Sequence, residues 1–530
     1  MEDQKATVAV VGLGAVGLVT VKNLVEEGFD VTGFESNSYI GGVWHFTEEN
    51  QTSVLECKSH TRLQPSRKPL TKTSNNCEYF KGAYYEFPDS VPSHASAMDV
   101  QRYLESYAKH FDLEKRFRLG VSVQNIKYDE SDKKWVLKLA GGASERFDKV
   151  VVSTGPTSHP NMPKIEGVER FTGEFIHSQA FKRPELFKGK RVLLVGLGNT
   201  TADTVEALRG HASEIYISHA KGIYILPRTT KDGIPSDHTL TLRKLNFLAA
   251  IDRLCPALFD FLFNKIIGKL QRERFTMQPE WRLSPALPVK FGGVIVSDNL
   301  VTNFANGVVT SVPAVQSILD GTTVQLCDGS TISVDCIICC TGYRKDFGIM
   351  DPAADPTRDT PPSWYALPGS YGKPLPRLYQ NIFSLDHPDS LAFMGCVWFF
   401  SGAFPLYDLA SMAVAQVWAG RSSLPPAAEM ASAVDAHHEL VCARASQGPT
   451  PGTWVRQSAW EPWAQATAGT GLAENLGWGW KGWVFWWRNR AYYKLLVDGI
   501  YSPFLLRVFD GGKRKKWDGA REAIEKLNRK

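Results

Sequence analysis

Gly12, Gly14 and Gly17 follow the β-branched run Val8 to Val11, and Gly196, Gly198 and Thr201 follow the similar run Val192 to Val195. This spacing, between a strand and a helix, is the chemistry of a pyrophosphate cradle. The first glycine makes a tight turn, and the second lets backbone approach the phosphates. The third lets the helix pack on its strand. The helix start, at Ala15 in one copy and at Asn199-Thr200 in the other, offers free N–H groups and the positive end of a dipole. Two cradles in one chain imply two nucleotide cofactors and electron traffic between them.

The residue that meets the ribose differs between the copies. Glu35 stands 21 positions after Gly14, at the end of the strand-like Phe29 to Phe34. A carboxylate there grips a ribose 2′-hydroxyl and repels a 2′-phosphate, so the first cradle is expected to hold FAD. The same count from Gly198 reaches His219, with Lys221 and Arg228 beyond it and no carboxylate. Cations welcome a 2′-phosphate, so the second cradle is expected to hold NADPH. Asn199-Thr200-Thr201 also reads as a glycosylation sequon, an accident inside a phosphate turn.

The elements that must position these residues are β-α-β units. One covers roughly 5–50 and the other begins near Lys190, with helix-like stretches at 15–27 and 200–208. Tyr103, Leu104, Tyr107, Ala108 and Phe111 recur at helical spacing and predict a helix over 100–111. Two apolar runs end alike, in Thr154-Gly155 and in Thr341-Gly342-Tyr343, and bracket the second unit. That bracketing predicts an α/β fold with two Rossmann-like domains, the NADPH domain inserted into a discontinuous FAD domain. The expected division is 1–185, 186–300 and 301–530, with the run ending at Thr341-Gly342 returning to the first sheet. Residues 420–475, rich in Ala, Ser, Pro and Gly, are expected to form a loop-rich surface connection.

The chain has 530 residues, 43% of them hydrophobic and 22% charged, with a formal net charge of +5. That is an ordinary globular composition spread over two or three domains, and the small net charge argues against a nucleic-acid partner. Nine scattered cysteines fit free thiols in a reducing, cytoplasmic setting. The uncharged stretch Ser390 to Tyr407 reads as buried strand and turn. Leu245 to Leu270 and Trp478 to Leu506 are apolar or aromatic but broken by charges, so either is a candidate for peripheral membrane contact. A homodimer is compatible with the sequence.

The segment before the second cradle, Phe171-Thr-Gly173-Glu-Phe-Ile-His177-Ser-Gln-Ala-Phe181, resembles the signature of flavin-containing monooxygenases. The further hallmarks are in that family's order: the first glycine turn, Glu35, the Gly41-Gly42-Val43-Trp44 turn, Thr154-Gly155, the second glycine turn and Thr341-Gly342-Tyr343. Thr61-Arg62-Leu63-Gln64, Tyr85-Glu86-Phe87-Pro88 and Val91-Pro92-Ser93-His94 are similar to the plant and fungal branch. The resemblance spans about 5–410. It implies a class B flavoprotein monooxygenase in which NADPH reduces FAD and dioxygen adds to give a C4a-hydroperoxyflavin. That species oxygenates a nucleophilic nitrogen or sulfur of a small organic substrate. It also implies that Gly42, Val43, Trp44, Thr154, Gly155, Thr341 and Gly342 line the cofactors, and that Gln64 is the amide beside the flavin. The family's arginine for the 2′-phosphate would fall at Ala220, so His219, Lys221 and Arg228 must substitute.

Baeyer–Villiger oxygenation of a ketone is the nearest alternative. Those enzymes typically carry tryptophan where this chain has Phe181. A disulfide oxidoreductase would need a closely spaced redox cysteine pair after Glu35, where Cys57 stands without one, and a non-catalytic nucleotide scaffold does not need intact cradles. His177 is expected to position the linker. Cys336, Cys339 and Cys340 are expected to be buried thiols, and Trp44 a packing residue. Asp408 is expected to cap a helix beginning at Leu409. Trp398, Phe399, Phe400 and Phe404 are candidates for the substrate pocket, and Leu245 to Leu270 for a cover over its entrance.

Overall fold

A computed structural model describes residues 5–46, 85–157, 159–399 and 402–529. Gln64, Cys57 and Phe400 lie outside them. The chain opens with β1 (Thr7–Val11), α1 (Ala15–Glu26) and β2 (Asp30–Glu35). Val8, Ala9 and Val10 are fully buried, as near-continuous apolar strands of a parallel sheet must be. Val8 and Val10 each contribute about 1.5–3 kcal/mol by leaving water. Helix α2 (Ala97–His110) starts three residues earlier than the apolar spacing predicts. Ser96 makes a capping box with Asp99: the Ser96 hydroxyl accepts the Asp99 N–H at 3.1 Å, and the Asp99 carboxylate accepts the Ser96 N–H at 3.0 Å.

Strands β3 (Phe117–Leu119) and β4 (Lys149–Val152) flank this unit, β4 beside β1 and β3 beside β2. An antiparallel three-stranded piece, Val123–Asp129, Lys134–Leu139 and Ser144–Phe147, connects them.

The second unit brings β5 (Glu174–His177), β6 (Arg191–Val195), α3 (Asn199–Leu208) and β7 (Glu214–Ser218). Two consecutive helices follow, α4 (Leu242–Leu254) and α5 (Pro256–Arg274), then β8 (Thr310–Val312) and β9 (Cys336–Cys339). The five strands form one sheet in the order β8-β7-β6-β9-β5. This corrects one expectation. The apolar run ending at Thr341-Gly342 does not return to the first sheet but pairs with β6 and β5. The second sheet therefore takes strands from both sides of the expected 186–300 segment.

The return to the first sheet is made later, by β10 (Leu378–Tyr379), β11 (Phe383–Ser384) and β12 (Leu391–Phe393). Strand β12 lies parallel to β4 and completes a seven-stranded sheet. Helix α6 (Ala403–Trp418) then packs its buried length on α1. Asp408 is inside this helix rather than at its start. The Asn23 amide donates to Asp408 at 2.8 Å and to the Ser411 hydroxyl at 2.6 Å. A buried carboxylate needs such donors, so Asp408 ties α6 to α1 instead of capping. The region 420–475 also departs from expectation. It holds α7 (Ala427–Ala445) and α8 (Gln457–Ala468), because the alanines that mimic loop composition are strong helix formers. Helices α9 (Trp480–Arg488) and α10 (Arg490–Asp498) follow.

Candidate functional site

The two cradles are built alike, each at the C-terminal edge of its sheet where neighbours diverge to either side, as open α/β sites require. Beside β1, the Ser153 N–H donates to Val11 O at 2.8 Å; beside β6, the Cys340 N–H donates to Val195 O at 2.8 Å. Gly12 (φ +99°) and Gly196 (φ +109°) turn in the left-handed region, and a Cβ on either would lie 2.7 Å from the Ser153 or Cys340 carbonyl oxygen. Only glycine fits both constraints. At the second positions the space is open. A Cβ on Gly198 would meet nothing within 4 Å, and one on Gly14 only the Gly42 Cα at 3.8 Å. These openings leave the backbone of both turns accessible. Gly14 caps α1, which Ala15 opens, with no side-chain bond to its N-terminus, so those N–H groups suit an anion.

The third positions differ. A Cβ on Gly17 would collide with the Gly12 carbonyl. In the second cradle Thr201 is fully buried, and its hydroxyl donates to Gly196 O at 3.0 Å while accepting the Gly198 N–H at 3.3 Å. A hydrogen bond thus occupies the place of a close backbone contact. Asn199 accepts the Val296 N–H at 2.9 Å, which fastens the start of α3, and Thr200 O accepts the Thr204 hydroxyl at 2.8 Å.

Glu35 is buried at the end of β2. Its Oε2 accepts the Leu13 N–H at 3.0 Å, and its Oε1 accepts from the Asn37 N–H at 3.0 Å and the Asn37 amide at 2.6 Å. A carboxylate has about four lone-pair directions, so Oε2 retains capacity for a ribose hydroxyl. The Gly41 to Trp44 turn docks on the first cradle. The Gly41 N–H donates to Leu13 O at 2.9 Å, and the Gln101 amide holds Ile40 O at 3.0 Å. Gly42 and Val43 lead into Trp44, which packs against the first core with its ring edge-on to Phe404, 6.3 Å between centroids.

The tip of β7 is less simple. His219 is buried. Its Nδ1–H donates to Lys221 O at 3.0 Å, and its Nε2 accepts the Ser311 hydroxyl at 2.9 Å. Burial pushes its pKa down, and the Arg282 charge pushes the same way. His219 is therefore neutral and brings no cation. Arg228 pairs with Asp298 at 3.2 Å, and Lys221 is exposed. Arg282, exposed and held at φ +55°, was not singled out from the sequence. Only the pairing of distant segments brings its charge near His219.

Two linkers join the units. Tyr343-Arg344 pairs antiparallel with Pro160-His159. The Thr341 hydroxyl donates to Asn161 O at 2.7 Å, and the Lys345 ammonium reaches Gly155 O, just after Thr154, at 3.3 Å. His177 Nδ1 accepts the Gln179 N–H at 3.2 Å, which leaves Nε2–H to donate to Gly342 O at 2.9 Å. Burial lowers its pKa. It holds the linker, as expected. Cys336 and Cys339 are buried in β9, and burial pushes both thiols up to about 12, so neither is a nucleophile at neutral pH.

A pattern for flavin-binding monooxygenase-like proteins matches residues 5–451. The chain belongs to this family. It is 42% identical over 529 residues to Monooxygenase aurF of Gibberella zeae (strain PH-1), covering 98% of this chain and 97% of that one. Among solved structures it resembles the S-allyl-L-cysteine S-oxygenase of Allium sativum, with a TM-score of 0.63, 21% identity and 99% of both chains covered. It also resembles an open form of cyclohexanone monooxygenase, with a TM-score of 0.59, 16% identity, and 88% of this chain and 98% of that one covered. The two-domain α/β fold is shared with both. This flavin-dependent monooxygenase uses FAD and NADPH, and the open approaches at Gly14 and Gly198 fit two pyrophosphates.

Proposed function

We propose that this monooxygenase inserts one oxygen atom of dioxygen into a nucleophilic nitrogen or sulfur of a small organic substrate, at the expense of NADPH. The observation that carries this reading is the pair of matched cradles at like edges of two sheets, joined by linkers that His177 and Thr341 lock. FAD supplies oxygen activation when bound, fed by hydride from NADPH. The chain's own residues do the rest.

The N–H groups at the start of α1 hold one pyrophosphate, and those at the start of α3 hold the other. Glu35 Oε2 accepts a ribose hydroxyl. Thr154-Gly155 and Thr341-Gly342 place the linker backbone beside the cofactors, and Trp44 with Phe404 walls the site against water. Lys221, with Arg228 as a charge already paired to Asp298, favours the 2′-phosphate. Gln64 is proposed to steady the reacting flavin edge by its amide, and Gln64→Leu is expected to uncouple NADPH oxidation from product. Phe181, buried against Phe187 in the second core at 5.1 Å, stands where ketone-oxygenating relatives typically carry tryptophan and favours heteroatom chemistry.

The test is turnover under isotopically labelled dioxygen with a panel of amines, thioethers and ketones. One labelled oxygen in an N- or S-oxide supports the proposal. Labelled ester from a ketone, with amines and thioethers untouched, replaces it with Baeyer–Villiger chemistry.

A further inference from the structure

Gln179 follows β5 by two residues, in the segment that carries the chain from the first unit into the second. The residue is 4% exposed, and its Nε2 makes no hydrogen bond. A buried amide donor without an acceptor costs free energy, and its surroundings leave it little room to find one. The Gln179 N–H donates to His177 Nδ1 at 3.2 Å. The Ala180 N–H donates to His177 O at 2.8 Å and the Phe181 N–H to Ser178 O at 3.3 Å. Phe181 is buried in the second core. The side chain is therefore fixed at its base and unsatisfied at its end.

The strand order gives the direction in which an acceptor would come. In the sheet β8-β7-β6-β9-β5 the second cradle follows β6. His219, at the tip of β7, lies to one side, and the tips of β9 and β5 lie to the other. A dinucleotide spans such an edge with its adenosine half toward the strand whose tip meets the ribose, and its second half across the switch point. Here the second half runs toward β9 and β5, the side on which the paired linkers lead to the first unit. The Ser178 N–H donates to Cys339 O at 3.0 Å. Gln179 thus leaves β5 at this same edge, two strands or about 10 Å from β6.

We propose that Gln179 binds the nicotinamide of NADPH, its side-chain amide pairing with the carboxamide of the ring. The inference rests on the assignment of NADPH to the second cradle. A carboxamide offers one carbonyl acceptor and one amino donor, which complement the donor and acceptor of glutamine. An amide already fixed at its base loses little freedom when the ring arrives. The orphaned Nε2 is then a group that the bound ring satisfies.

The test is calorimetric titration of the FAD-loaded protein with NADP+ and with adenosine 2′,5′-bisphosphate, which lacks the nicotinamide. Gln179→Leu, close in volume, is expected to weaken NADP+ about three- to tenfold and to leave the bisphosphate within about twofold. Its Tm should equal or exceed that of the wild type, because an unpaired buried donor has been removed. Gln179→Met, unbranched like glutamine, gives the same comparison if leucine disturbs the turn. Equal weakening of both ligands, or NADP+ binding as in the wild type, overturns the proposal. Gly198→Val tests the second cradle itself. Gly198 is extended, at φ −151°, with nothing within 4 Å of an added Cβ, so the fold accommodates valine where a pyrophosphate would not. This variant should weaken both ligands. If it binds both as the wild type does, NADPH is not held at the second cradle, and the role of Gln179 falls with that assignment.

Discussion

Glu35 Oε2 accepts the Leu13 backbone N–H at 3.0 Å, so the residue at the tip of the second strand also closes the turn after the first. Removing it has two consequences. Glu35→Ala leaves a buried donor unpaired, at a cost of about 1–3 kcal/mol, and removes the ribose acceptor. The purified variant should show a lower flavin-to-protein absorbance ratio and a lower Tm. Full flavin retention would show that other groups hold the ribose.

Thr201 bridges Gly196 O and the Gly198 N–H. Thr201→Val keeps the shape and deletes both bonds. The expected result is a several-fold rise in the KM for NADPH, about 1 kcal/mol, with flavin content unchanged. Steady-state kinetics beside a flavin spectrum checks it, and an unchanged KM would mean the turn holds without the hydroxyl.

Nucleotide selectivity should follow exposed charge rather than sequence position. Lys221→Ala and Arg282→Ala are each expected to reduce the kcat/KM preference for NADPH over NADH by up to about tenfold. His219→Asn, which replaces a neutral and internally bonded ring, should change it by less than about twofold. A large loss in the histidine variant would return the 2′-phosphate to His219.

Asp203, on α3, has its carboxyl pKa raised by burial to about 7, against the opposing pull of Arg228. Its folded pKa lies above its unfolded value, so the folded state binds more protons between about pH 4 and 7. Stability is therefore full below that window and falls as pH rises through it. Asp203→Asn should flatten this fall and raise Tm at neutral pH, by on the order of 1–3 kcal/mol of stability. Denaturant titrations at several pH values check it, and parallel pH profiles for the two proteins would exclude this group.

The local features were legible in the sequence because local forces make them. Glycines at fixed offsets after a β-branched run admit one turn, and a carboxylate about 20 residues on lies at the next strand tip. Both cradles, Glu35, the role of His177 and the buried cysteines of β9 could be read that way. What required the tertiary structure was partnership. Cys336-Ile337-Ile338-Cys339 is apolar on both faces, so its side chains suit the middle of either sheet, and only packing placed it beside β6 rather than β1. Asp408 has the composition of a cap, but Asn23, 385 positions away in sequence, supplies its donor within α6. The charge at the second ribose was likewise decided in three dimensions. Burial neutralised His219, Asp298 paired Arg228, and a distant segment brought in Arg282, since desolvation and Coulomb interactions depend on distance in space rather than along the chain.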